Sequence, residues 1–152
     1  MLMNKDLRLR EAIPKDIPHL LLWENPEQQE LEKVAYWENA DLVDYRENLL
    51  NRVDSNCRYL NLQRDYRWHQ EIENLHQICQ QTSKPVVLLI EFDCLVTYLR
   101  SKPDSQLSLF WKTLQTTRHL ESRLWIVFPP SLSPPNWEAK RMQEIDPSMQ
   151  FK

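Results

Sequence analysis

Short apolar clusters punctuate an otherwise polar chain, and their spacing sorts them into strands and helices. After a turn bracketed by Pro14 and Pro18, His19-Leu20-Leu21-Leu22-Trp23 is an apolar run with the length of a buried strand, and Glu24-Asn25-Pro26 breaks it. From Glu27 the spacing becomes helical, with Leu31, Val34 and Ala35 on one side. A second helix is predicted from Asp41, a good N-cap, carrying Leu42, Tyr45, Leu49 and Val53. A turn at Asp54-Ser55-Asn56 follows, and then Arg58-Tyr59-Leu60-Asn61-Leu62 alternates as a strand does. Trp68, Ile72, Leu75 and Cys79 form one stripe of an amphipathic helix over 65–81. Lys84-Pro85 ends it.

Val86-Val87-Leu88-Leu89-Ile90 is the strongest strand pattern, continuously branched and apolar as a central parallel strand covered on both faces requires. Asp93 can cap a short helix bearing Leu95 and Leu99, and Pro103-Asp104 opens another with Leu107, Phe110, Trp111 and Leu114 at helical spacing. Leu124 to Phe128 is the next strand, stopped by Pro129-Pro130, and Arg141 to Ile145 is a candidate edge strand. Five strands alternating with helices predict a three-layer α/β sandwich around a mostly parallel sheet. Residues 14–146 make its single domain, with a loose arm over 1–13 and a tail over 147–152. At 152 residues such a domain buries a substantial core.

Composition changes this picture at one point. The chain has no glycine, an outcome with a chance on the order of 10⁻⁵ at average usage. Glycine supplies positive φ and close backbone approach to ligands, so turns must use Pro, Asn, Asp or Ser, and glycine-based phosphate loops are excluded. The three cysteines, Cys57, Cys79 and Cys94, lie far apart without metal-ligand spacing and suit reduced thiols in a cytoplasmic protein. A formal net charge of −3 argues against a nucleic-acid partner, and no apolar run is long enough for a membrane span. His19, His69, His76 and His119 show no metal-binding spacing either.

The order of elements, with Val86 to Ile90 followed by Glu91 in the Walker B place, then Leu109-Phe110-Trp111-Lys112-Thr113-Leu114 and Leu124-Trp125-Ile126-Val127-Phe128, resembles the P-loop NTPase core of the STAND and AAA classes. Over residues 18 to 146 the likeness is to inactivated STAND-type domains of bacterial conflict systems. The resemblance implies a nucleotide-binding scaffold with its catalytic parts missing. Where the family carries a glycine loop ending in Lys-Ser/Thr, this chain has Glu24-Asn25-Pro26-Glu27-Gln28-Gln29-Glu30, with carboxylates, no lysine and a proline without an N–H. Pro129 occupies the place of a polar sensor residue. No nucleotide and no cofactor is therefore expected, and a protein is the expected partner.

Two sets of residues remain as site candidates. Glu24, Glu91 and Asp93 follow strands at the carboxyl edge, where open α/β sheets place ligands, and as a metal site they would suit a PIN-like nuclease. In the STAND order one strand separates Glu24 from Glu91, roughly 10 Å at about 4.8 Å per strand, which is too wide for one ion. Trp37 and Trp137 are the second set. Trp23, Trp68, Trp111 and Trp125 fall on apolar stripes or strands, whereas these two have polar neighbours and are candidate anchors for a partner. The function expected is a non-catalytic protein-interaction or adaptor module, with the nuclease as its alternative.

Overall fold

The computed structural model describes residues 7–52, 67–101 and 106–145. Strands β1 (Pro18–Leu22), β2 (Ala40–Asp44), β3 (Val86–Ile90), β4 (Arg123–Phe128) and β5 (Met142–Glu144) form one all-parallel sheet in the order β2-β3-β4-β1-β5. Helices α1 (Gln28–Trp37), α2 (Tyr45–Arg52), α3 (Arg67–Gln81), α4 (Asp93–Arg100) and α5 (Leu107–Thr116) connect them. None of these helices is long and apolar enough to cross a membrane.

The alternation of side chains along each strand builds two cores, one on each face. Leu20, Leu22, Val87, Leu89, Leu124, Ile126 and Phe128 face α2 to α5, meeting Tyr45, Trp68, Ile72, Leu75, Leu95, Phe110 and Leu114. Leu21, Trp23, Val86, Leu88, Trp125 and Val127 face Leu31, Val34 and Ala35 of α1. The resulting layers are helices, sheet, and α1 on the far side. The continuous apolar runs of β1, β3 and β4 thus have a physical cause, since all three strands are covered on both faces. β3 is interior, and β4 is the middle strand of the five.

Three expectations need correction. Residues 40–44 do not open a helix at Asp41; they pair with β3 as a parallel edge strand, Leu42 beside Leu88. Asn39, at φ 52, ends α1 in the left-handed conformation that Asn tolerates, and the chain leaves it extended. The helix then starts at Tyr45, and Asp44 Oδ1 accepts from Glu47 N (3.2 Å), so the cap is Asp44. Asp93 is likewise inside the first turn of α4, and Phe92 occupies the N-cap position. Lastly, the described part of the loose arm is packed. Leu7 and Leu9 are buried in the α1-side core, Arg8 N donates to Gln143 Oε1 (2.7 Å), and Arg123 donates to the carbonyl of Ala12 (2.7 Å). The strand expected over 58–62, Cys57, the Pro103-Asp104 start and the 147–152 tail lie outside the described residues.

Two buried polar devices hold the layers together. Glu71 of α3 is buried and accepts from the Tyr45 hydroxyl (2.8 Å) and from both terminal nitrogens of Arg52 (2.7 and 3.2 Å), pinning α2 to α3. Arg141, 1% exposed, donates to the Pro18 carbonyl (2.9 and 3.3 Å) and the Gln115 carbonyl (3.1 Å). It joins the start of β1 to the end of α5. No carboxylate answers it in those bonds, and burial lowers its pKa first, with Arg118 adding to the effect.

Candidate functional site

Three strand ends converge at the carboxyl edge of the sheet. β1 closes with Trp23 N bonded to Phe128 O (2.8 Å), and Asn25, at φ 44, turns the chain within a single residue before Pro26. α1 then starts from Glu27, whose backbone N–H is held by Glu30 Oε1 (3.0 Å). This short turn links β1 to α1. β3 ends in a second tight turn, with Glu91 at φ 67, Phe92 fully buried as its anchor, and Cys94 N bonded to Glu91 O (3.2 Å). β4 ends at Pro129, which enters a turn of 3₁₀ helix over Pro130–Leu132.

Between these ends lies a cleft of about 270 Å³. Its floor and apolar walls come from Trp23, Leu31, Ile90 and Val127, its rim from Pro26 and Pro129, and its polar groups from Asn25, Gln28, Glu91 and Asp93. Glu91 and Asp93 are brought together there, and Glu24 is not. Glu24 is exposed outside the cleft, with Oε1 accepting from Asn25 Nδ2 (3.4 Å), and β4 separates its strand from that of the other two. Burial raises the Asp93 carboxyl above its ordinary range, its own backbone N–H partly opposing that rise. Among the described residues no three His, Cys, Asp or Glu side chains are grouped to hold a metal ion.

Among the described residues the lining therefore has negative charge, amide groups and apolar walls, but no lysine, arginine, serine, histidine or cysteine. Polyphosphate placed there would meet two carboxylates without a compensating cation, and Pro26 removes one of the backbone N–H groups a phosphate cradle needs. The lining offers no side-chain nucleophile paired with a base. Chemically, the cleft suits a cationic group with an aliphatic stem.

Glu91 is also strained, because a residue with a Cβ pays about 1–2 kcal/mol for left-handed backbone. Glycine would relieve that and lose part of the gain to unfolded-state entropy. Glu91→Gly is expected to raise stability by about 0.5–1 kcal/mol in urea denaturation. A lowered stability would show that the Glu91 side chain supports the turn.

The two tryptophans part company. Trp37 is half-buried at the end of α1, beside Tyr36, which is 82% exposed. Trp137 is only 7% exposed and belongs to the larger core. Its Nε1–H donates to Arg141 O (3.3 Å), and the Arg141 guanidinium stacks 4.5 Å from the ring centroid. Trp137 is thus buried and not the exposed side chain expected, and the exposed aromatic residue of α1 is Tyr36, which sequence reading missed. The available signal was its position, seven residues after Gln29 on the polar side of α1. No family model matches the chain, and no curated protein matches it.

Proposed function

We propose that the protein is a non-catalytic protein-interaction module on a degenerate nucleotide-binding scaffold, acting in the cytoplasm within a bacterial defence or signalling complex. The single observation that carries this reading is the carboxyl-edge cleft, which Glu91 and Asp93 line with no cationic side chain among the described residues. The strand order supports the STAND and AAA resemblance, since β4 lies between β1 and β3, as that resemblance implies. With Coulomb attraction reversed in sign relative to a phosphate site, the cleft favours a lysine or arginine side chain of a partner protein, its stem against Leu31 and Val127.

Calorimetric titration with Mg-ATP is expected to give no binding tighter than about 1 mM, the affinity at which a ligand gains only about 4 kcal/mol. A photo-crosslinking side chain at Gln28 should capture a protein from the source cell, and the Glu91→Lys/Asp93→Lys double change should abolish that capture. Mg-ATP binding tighter than about 1 mM that responds to the same changes would overturn the reading.

A further inference from the structure

We propose that the outer face of α1 is a self-association surface that pairs two copies of this chain in parallel about a two-fold axis. It lies apart from the carboxyl-edge cleft and does not depend on what the cleft binds. Leu31, Val34 and Ala35 turn one side of α1 into the core. On the opposite side, Gln29, Glu32, Lys33, Tyr36 and Trp37 line a shallow groove.

At about 100° per residue, Gln29 and Tyr36 point nearly the same way, straight out from the domain. Glu32 and Lys33 lie about 50° to either side of that line. A two-fold axis parallel to the helix carries each flank of one copy onto the opposite flank of the other. Glu32 of one copy then meets Lys33 of the second, and the reciprocal pair forms with it, an isologous contact. Tyr36 faces Tyr36, and Gln29 faces Gln29, one turn-pair below.

The occupant is argued from this charge complementarity. The acid and the base are adjacent in sequence, so they cannot face each other on one helix. Among the described residues, neither Glu32 nor Lys33 is in an ion pair, although Glu32 accepts a side-chain bond from Gln28 (3.3 Å). Tyr36 and Trp37 likewise use no side-chain hydrogen bond to the described residues. One ten-residue helix is about 15 Å long and buries less than the roughly 1,000 Å² of a stable interface. The dimer is therefore weak.

Sedimentation equilibrium across about 10 to 500 μM tests it, with circular dichroism verifying that every variant folds. The wild-type chain is expected to dimerise reversibly. Glu32→Lys alone and Lys33→Glu alone should each be monomeric, because both flanks then repel. An equimolar mixture of the two should dimerise again, as should the double swap Glu32→Lys/Lys33→Glu. A wild-type monomer throughout the range overturns the proposal. A dimer unaffected by the single changes overturns it too, since another surface would then be responsible.

Discussion

Replacing Trp137 with alanine is expected to destabilise the domain by about 3–5 kcal/mol, the cost of emptying a buried aromatic site. The ring packs in the same core as Trp111, Phe128 and Leu132, and it also forms the surface on which the buried Arg141 guanidinium rests. Its removal leaves a cavity and strips a desolvated cation of one of its favourable contacts. The bonds of Arg141 to the Pro18 and Gln115 carbonyls would then hold residues 137–145 onto β1 and α5 together with the β5–β1 pairing and the Ile145 N–Leu22 O bond (2.7 Å). Trp37→Ala provides the reference. Half-buried at a helix end, Trp37 should cost well under the Trp137 value, about 1 kcal/mol. Urea denaturation with far-ultraviolet circular dichroism gives both numbers. A loss below about 1 kcal/mol for Trp137→Ala would mean that the segment after Pro135 does not pack as described.

The contrast between these tryptophans shows what a sequence pattern can carry. Polar neighbours, Asn136 and Glu138, made Trp137 look exposed, but its burial is decided by Arg141, four residues on, and by a β1 carbonyl 123 residues away from that arginine. No local window holds that information. Helices α1, α3 and α5 and strands β1, β3 and β4 were legible because each repeats one period long enough to exclude the other. Ala40–Asp44 was not. It is five residues long, Leu42, Tyr45 and Leu49 satisfy a helical spacing, and an edge strand with Asp41 and Asp44 has too little apolar alternation to contradict it. That no glycine loop is present could be read directly from the sequence. The cleft itself could not, because Gln28 and Pro129 meet Glu91 only after β1, β3 and β4 have been set side by side. The strain at Glu91 is the cost of a glycine-free turn, visible only once the backbone is known.

Acid should weaken this fold through His19 well before most carboxylates titrate. His19 sits on β1 beside Trp125 of β4 and is 1% exposed. Its Nδ1 lies 2.9 Å from the Ile17 carbonyl, which can only accept, so Nδ1 carries the proton and Nε2 is left with its lone pair. Protonating Nε2 would put a positive charge in the core, near Arg141 and Arg123. Burial is the largest cause lowering the His19 pKa from 6.5 to about 4; the Ile17 bond opposes it and the two arginines add to it. The unfolded chain thus binds this proton below pH 6.5, while the folded chain resists it until about pH 4. The stabilisation from a neutral His19 is complete above pH 6.5, falls as pH drops toward 4, and is gone below it. The loss across that window amounts to about 3 kcal/mol. Asp93 and Glu38, both raised by burial, oppose the trend, but they do so equally in a His19→Leu variant. The measurement is therefore the difference in urea stability between wild type and His19→Leu from pH 7 to pH 4. Wild type should lose about 3 kcal/mol more than the variant over that range. Parallel curves would show that His19 takes up its proton without cost and that this end of β1 is open to water.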